Sequence, residues 1–366
     1  MNNVSLTSDN LSHSALSTTT PVSVIMPVRD EERHLADAVR HVLDQDYPAG
    51  IEVVLAVGPS GDTTARIARD LAAADSRVTV VDNPNGRIPA GNNAAIKASR
   101  FPIVARVDGH ALLPPGYLKL AVEALVETGA DNVGGIMAAR GVTPFEQAVA
   151  WAMTSPAGVG RAAFHTGGQV GPADTVYLGV YRRVALERVG GYDEAYQRAE
   201  DWEMNHRIRQ GGGLIWFDPG LRVTYRPRGC VRALAVQYFN YGRWRRVVSR
   251  EHAGTVNLRY LAPPAAVLAM AAGLAAGVAG LAVALAGPPG AGAGSPGLAW
   301  LMMGFVIPAA YLAGITCVTG VAARRLPGRV LARLPAALVT MHVCWGIGFL
   351  TSPRRLLPGR ARSRPA

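Results

Sequence analysis

The sequence predicts an α/β domain with a mixed, mostly parallel sheet covered by helices on both faces, followed by a membrane-embedded C-terminal third. Three observations carry that reading. Short β-branched runs alternate with amphipathic stretches over residues 21–108, the pattern of doubly covered strands joined by crossover helices. Acidic or turn-rich segments follow these strands, where such sheets bind their ligands. The last acidic residue is Glu251, and residues 259–366 combine ten Arg with long apolar runs. The net charge of +11 therefore resides in the C-terminal third, and residues 1–258 carry only +1. A nearly neutral domain argues against nucleic-acid binding.

Residues 1–20 are rich in Ser, Thr and Asn without an apolar core, which predicts a disordered leader and not a signal peptide. Strands are expected over Pro21–Pro27, Ile51–Val57, Val78–Asp82 and Ile103–Val107. Helices are expected over Leu35–Leu43, Thr63–Ala74 and Ala90–Ser99. No GxGxxG or GxxxxGK[ST] follows a strand, so dinucleotide and P-loop readings lose support.

Ala265–Ala286 and Leu298–Ala323 exceed the roughly 20 apolar residues needed to cross a bilayer. Leu334–Leu350 is shorter and contains His342, Cys344 and Trp345, which fits a short span, a re-entrant segment or an interfacial helix. Arg222–Arg250 and Arg324–Arg333 flank the first two stretches, whereas Gly287–Gly297 is uncharged. The positive-inside rule then puts the N-terminal domain in the cytoplasm of a multi-pass cell-membrane protein. A third full crossing would carry Arg354, Arg355, Arg360, Arg362 and Arg364 outside, which favours a re-entrant third segment. Cys230, Cys317 and Cys344 are scattered and suit a reducing compartment.

Two acidic clusters carry the chemistry. Asp108 and His110 lie two apart beyond a strand. One carboxylate and one imidazole leave positions for phosphate oxygens and water around Mn²⁺ or Mg²⁺; the plain alternative is a turn-capping Asp beside a surface His. Arg198-Ala199-Glu200-Asp201-Trp202-Glu203 opens a helix. Asp201 is the expected general base for a hydroxyl proton and Glu200 its orienting or acceptor-binding partner, although carboxylates in a first turn also complement the helix dipole.

Pro27-Val28-Arg29-Asp30-Glu31-Glu32, Asp108-Gly109-His110, Gly190-Gly191-Tyr192-Asp193-Glu194 and Glu200-Asp201-Trp202-Glu203, in this order, resemble the family 2 glycosyltransferases of GT-A fold. Within them they resemble the succinoglycan ExoA-like branch of exopolysaccharide assembly, over about residues 20–265. The resemblance implies a membrane-anchored, metal-dependent, inverting glycosyltransferase with its catalytic domain over 21–258 and its membrane domain over 259–366. The donor is a nucleotide sugar and the acceptor a lipid-linked glycan, beside membrane lipids and with no nucleic acid. Alternatives are transfer to polyprenyl phosphate itself, or a catalytically degenerate membrane scaffold.

The resemblance further assigns the nucleotide-sugar to Pro27, Val28, Arg29, Glu31, Ser60, Asp62, Arg87 and Asp108, and the metal to Asp108 and His110. Val57 stands where the family places a base-contacting Asp, so uracil is not implied. Gln237, Arg243 and Trp244 resemble the acceptor motif Gln-x-x-Arg-Trp with a longer spacing, which speaks against processive polymerisation. The same cationic, aromatic run suits an interfacial helix. His165–Gly168 and Asp174–Tyr177 fall where acceptor-side loops are expected.

Overall fold

The computed structural model describes residues 16–286, 301–354 and 356. Most of the expected leader (1–15), the uncharged break at 287–297, the start of the second apolar stretch and Arg355, Arg360, Arg362 and Arg364 lie outside the described residues. The chain divides into two compact units: Met1–Met137, Gly168–Glu194 and Met204–Val223 form the first; Ala138–Gly167, Ala195–Glu203 and Thr224–Ala366 form the second.

The first unit is built on an eight-stranded sheet. In chain order its strands are β1 (Val22–Val28), β2 (Ile51–Val57), β3 (Val78–Asp82), β4 (Ile103–Arg106), β5 (Asn132–Ala139), β6 (Gly171–Pro172), β7 (Tyr177–Arg182) and β8 (Ile215–Tyr225). Their spatial order is β3-β2-β1-β4-β7-β5-β8-β6. β1 pairs in parallel with β2 and β4, and β2 with β3, whereas β7 is antiparallel to β4 and β5. The chain moves outward from β1 through β2 to β3 and returns on the other side of β1 as β4. That reversal is a topological switch point, and it opens a crevice beyond the carboxyl ends of β1 and β4.

The crossovers are α1 (Leu35–Leu43), α2 (Thr64–Ala74) and α3 (Ile88–Ala98). In α1 the buried positions Leu35, Ala38, Val39 and Val42 follow helical spacing and join Val24, Met26, Val53 and Leu55 in the core. Each large aliphatic side chain so buried contributes about 1.5–3 kcal/mol. The expected bounds of α1, β2 and β3 agree with the structure. α3 starts at Ile88, two residues earlier than expected, because Pro89 occupies its first turn, where a missing N–H costs nothing. Beneath this layer, Glu52 accepts from Ser23 Oγ (2.6 Å), Arg100 N (2.6 Å) and Arg100 Nε (2.9 Å). Burial opposes its charge, but these donors prevail and its carboxyl titrates below the ordinary value. α4 (Tyr117–Thr128) and α8 (Arg183–Arg188) complete this unit's helices, and α9 (Glu200–Gln210) has its first turn in the second unit and the remainder here.

In the second unit, α5 (Pro144–Met153) begins with a capping box between Thr143 and Glu146, and two short turns follow, α6 (Pro156–Val159) and α7 (Ala163–Thr166). The Arg-rich α10 (Val231–Glu251) precedes α11 (Leu258–Ala286), α12 (Val306–Ala322), α13 (Gly328–Leu331) and α14 (Leu334–Leu350). Among the described residues, three segments are long and apolar enough to cross a membrane: Leu258–Ala286, Met303–Ala322 and Gly328–Leu350. The first starts before the expected Ala265, with Pro263 and Pro264 inside the helix.

Close backbone contacts hold these helices together. A Cβ on Gly277 would stand 2.7 Å from the Phe305 ring, so small residues on α11 admit its neighbour. A Cβ on Gly242 of α10 would overlap the Trp345 carbonyl oxygen of α14, and one on Gly348 would overlap the Phe239 carbonyl oxygen.

Candidate functional site

The first cluster lies at the switch point. Val28 and Val57 are register partners, and Val57 pairs with Asp82, so the loops after β1, β2 and β3 leave the sheet at one level. Asp30 adopts a left-handed backbone (φ 56°), uncommon for a residue with a Cβ, and its loop is stapled to the next one. Asp30 N donates to Ser60 Oγ (3.1 Å), Glu31 N to Thr64 Oγ1 (2.7 Å), Glu32 N to Asp62 Oδ2 (3.2 Å) and Gly61 N to Asp30 Oδ1 (2.8 Å). Ser60 and Asp62, expected to touch the nucleotide-sugar, thus orient the Arg29–Glu32 loop. The Thr64 hydroxyl chiefly holds the Asp62 carboxyl below its usual range.

Arg29 is exposed and pairs with Asp30 (3.4 Å). A Cβ on Gly86, whose φ is +61°, would lie 3.4 Å from Arg29 Nη1, so Arg29 reaches the loop that carries Arg87. Arg87 is exposed at the start of α3, and its carbonyl accepts from Asn83 Nδ2. A Cβ on Gly91 would be 3.0 Å from Pro27 Cβ. Val28 is buried, so its side chain serves the core below this surface.

Between β1 and β4, His110 Nδ1 meets Glu31 Oε1 at 2.7 Å. A carboxylate can only accept, so Nδ1 bears the hydrogen, as it does in histidines that ligate metals through Nε2. Arg106 Nη2 donates to Asp108 Oδ1 at 2.9 Å, with both side chains largely buried. A Cβ on Gly109 would stand 3.0 Å from Val28 Cγ1 and 3.1 Å from Glu31 Cγ, so the Asp-Gly-His turn packs directly on the β1 loop. Among the described residues no three His, Cys, Asp or Glu side chains form a metal-holding group. The donor set still fits a divalent cation whose remaining ligands are phosphate oxygens and water, because His110 is oriented by a carboxylate and Asp108 supplies a hard oxygen.

The second cluster belongs to the second unit. Ala199 is left-handed (φ 62°) immediately before Glu200, a backbone conformation that persists only where packing enforces it. Glu200 is buried and Asp201 half-buried. Trp202 receives the Arg245 guanidinium over its ring at 4.7 Å, and Glu203 lies 3.4 Å from His252. Tyr196, Trp202, Trp244, Val247 and Val248 form one apolar cluster. Trp244, expected at the acceptor, is a core residue of that cluster. Gln237 Nε2 donates to the Tyr225 and Tyr241 hydroxyls (2.8 and 3.0 Å), and the Arg243 guanidinium lies over Phe239 at 5.5 Å.

The model of the family described as "Glycosyl transferase family 2" matches residues 23–190. The succinoglycan biosynthesis protein ExoA of Rhizobium meliloti (strain 1021) is 33% identical over 250 residues, 68% of this chain and 76% of that one. This chain belongs to glycosyl transferase family 2. Within that family it falls in the ExoA-like branch. A Methanococcus voltae relative named dolichyl N-acetyl-alpha-D-glucosaminyl phosphate 3-beta-D-2,3-diacetamido-2,3-dideoxy-beta-D-glucuronosyltransferase is 22% identical over 251 residues, 66% of this chain and 77% of that one. The mannosyltransferase PcManGT from Pyrobaculum calidifontis, solved with GDP-Man and Mn²⁺, superposes with a TM-score of 0.53 at 21% identity, over 88% of this chain and 86% of that one. The shared architecture is the GT-A fold.

In this family 2 glycosyltransferase, sequence reasoning missed Arg106 as the partner of Asp108 and the pairing of Glu31 with His110. Residues 79 apart leave no local signal. It also missed Arg245, Arg259 and Tyr260, whose stacking joins helices that the sequence presents as one basic run and one apolar run.

Proposed function

We propose that this protein transfers a sugar, with inversion, from a nucleotide-sugar donor to a lipid-linked glycan acceptor during exopolysaccharide or cell-envelope polysaccharide synthesis. The observation that carries the reading is the meeting of Glu31 with His110 beside Asp108 at the switch point, where α/β sheets bind ligands. Pro27, Arg29 and Glu31 line the nucleotide with buried Val28 supporting them from the core, Arg87 reaches the diphosphate, and Asp108 and His110 hold the divalent cation. When bound, Mn²⁺ or Mg²⁺ neutralises charge on the departing diphosphate.

Asp201 takes the proton of the acceptor hydroxyl as that oxygen bonds to the anomeric carbon, and the bond from that carbon to the diphosphate oxygen breaks, releasing nucleoside diphosphate. Glu200 orients the acceptor. Gln237 and Arg243 contact it from α10, with Trp244 supporting them from the core. The lipid-linked acceptor is supported by the three apolar helices and by the name of the Methanococcus voltae relative, which acts on a dolichyl-linked sugar phosphate. Full-length protein in membranes, offered a panel of nucleotide sugars with Mn²⁺ or Mg²⁺ and native lipid extract, should release nucleoside diphosphate in a lipid-dependent way. Asp201→Asn should lose about 10²- to 10⁴-fold in that rate with donor binding preserved. Near-normal turnover in the variant refutes the base assignment.

We also propose a cytoplasmic catalytic domain, residues 21–258, and a membrane domain, 259–366, crossed by α11 and α12, with α14 lying in the membrane interface. Arg329 and Arg333 precede α14 and Arg354 follows it, which favours both ends on one side. Its partner α10 carries five Arg. Arg246 stacks on Phe349 at 4.9 Å, and Arg250 donates to the Ser352 and Pro353 carbonyls. A spanning α14 would draw such charges toward hydrocarbon, at about 2.5–3.5 kcal/mol for each one at the centre. In a chain freed of Cys230, Cys317 and Cys344, single cysteines replacing Arg333 and Arg354 should react with an impermeant thiol reagent from the same side. Labelling from opposite sides would make α14 a third crossing.

A further inference from the structure

A groove in the first unit lies away from the switch point. It holds about 600 Å³ between the second half of α3 and α8, with Ile96, Lys97, Arg100, Arg183, Leu186 and Glu187 among its walls. Sites for small molecules have volumes of this order. Its position follows from the sheet. Ile103, the first residue of β4, is the register partner of Arg182, the last of β7, and Arg183 N donates to the Pro102 carbonyl (2.8 Å). Arg100 and Arg183 therefore stand at the amino edge of β4, whereas Asp108 lies beyond its carboxyl end. Of the residues at the switch-point crevice, neither Arg29, Glu31 and Arg87 nor Asp108 and His110 line the groove.

The charges around this groove are unequal. Arg183 is half-buried, and its guanidinium donates to neutral acceptors: the Phe101 carbonyl from Nε (2.7 Å), the Ile96 carbonyl from Nη1 (3.1 Å) and Ser99 Oγ from Nη2 (2.8 Å). Burial is the largest influence on it, outweighs the Glu187 and Glu52 carboxylates, and holds its pKa below the ordinary arginine value. A half-buried cation held in this way gains from any anion that reaches its remaining N–H groups. Lys97, in the last turn of α3, is exposed and among the described residues has no carboxylate partner. Arg100 is bound to Glu52 and keeps an exposed guanidinium.

Glu187, one turn after Arg183, is the carboxylate among the lining residues. It can only accept hydrogen bonds, so beside an anion it selects hydroxyl groups of the same ligand. Ile96 and the buried Leu186 give that ligand's carbon skeleton an apolar floor. We propose that the groove between α3 and α8 binds a phosphorylated sugar, its phosphate on Lys97 and Arg183 and its hydroxyls on Glu187. The site does not depend on the transfer reading. Asn93 of α3 accepts from Tyr192 N (2.9 Å) and donates to the Tyr192 carbonyl (2.9 Å) and to Glu194 Oε1 (3.0 Å). A ligand bridging α3 and α8 therefore also steadies the segment that follows α8.

The test is binding to full-length protein in phosphatidylcholine nanodiscs, with a chelator present to keep metal from the switch point. Calorimetry compares glucose 1-phosphate, glucose and inorganic phosphate. Glucose 1-phosphate should bind, glucose should not, and inorganic phosphate should bind more weakly. Lys97→Ala should weaken glucose 1-phosphate binding about tenfold, the loss of one charge-assisted contact, and Lys97→Arg should restore it. Glu187→Gln should narrow the preference for glucose 1-phosphate over inorganic phosphate, because it removes the hydroxyl acceptor and the repulsion of phosphate together. Lys97 and Glu187 are both exposed, so both variants should melt as the wild type does. Hydrogen exchange should show protection over residues 88–100 and 183–194 when glucose 1-phosphate is bound.

Equal affinity in wild type and Lys97→Ala would overturn the proposal. So would glucose 1-phosphate binding no tighter than inorganic phosphate, since the groove would then hold any small anion. Protection over residues 28–32 and 108–110 in place of α3 and α8 would put the sugar phosphate in the switch-point crevice and also overturn it. Groove binding without any nucleoside diphosphate release would leave this site standing and remove the transferase assignment.

Discussion

The cluster at the switch point and the arginine–aromatic cluster are built on opposite principles. At the switch point, short side chains sit on strand ends whose register is fixed by the sheet, and most of the positioning bonds involve backbone N–H groups. Among Trp202, Arg245, Arg259 and Tyr260, long side chains from three segments meet through ring stacking. The first arrangement is inherited from the topology, and many proteins with this sheet can reproduce it. The second depends on the packing of long side chains between helices. Asp30 and Ala199, two of the left-handed non-glycine residues among those described, show that both regions nevertheless constrain the backbone next to their carboxylates.

The sharpest way to break the comparison is through the switch-point carboxylates. Asp108→Ala should abolish the metal dependence of donor binding, and Glu31→Gln should reduce metal affinity by about ten- to a hundredfold, since it removes only the partner that orients His110. Isothermal titration with donor and Mn²⁺ measures both. An unchanged metal response in Asp108→Ala would move the cation elsewhere.

A smaller effect concerns the foundation of the first region. Glu52 titrates below its ordinary value in the folded chain, so its contribution is fully present above the unfolded carboxyl pKa. It is lost as pH falls from there through the lowered folded pKa. Glu52→Gln should cost about 2 kcal/mol at neutral pH and lessen the decline in stability on the acid side. Urea unfolding across that range measures this, and an undiminished acid decline would assign it to other carboxylates.

For the second region, Gly242→Ala forces a methyl against the Trp345 carbonyl and should destabilise the packing of α10 on α14 by about 1–3 kcal/mol. A lowered melting temperature with metal-dependent donor binding intact would keep the regions distinct. Loss of donor binding in the same variant would tie them together.

The strand ends were legible because alternation of β-branched runs with amphipathic ones reports local burial, and ligands of parallel sheets gather beyond carboxyl ends. Asp108 and His110 could be selected on those grounds. The Glu31 partner of His110 could not, since it approaches only after β1 and β4 become neighbours. The acceptor motif was less legible. Trp244 reads as an acceptor contact in sequence, yet α10 turns it into the Tyr196–Trp202 cluster, because helix rotation, set by packing, decides which face is buried.

The sequence by itself determined the α/β class, most strand and helix bounds of the N-terminal part, and three apolar segments, since hydrophobic periodicity and run length are local quantities. The tertiary structure alone decided that Ser60 and Asp62 staple one loop to another, that Glu31 orients His110, and that Arg245 and Arg259 share Tyr260. The first two join residues 30 and 79 apart and the third joins side chains of separate helices, so their geometry exists only once sheet register and helix packing have brought them together.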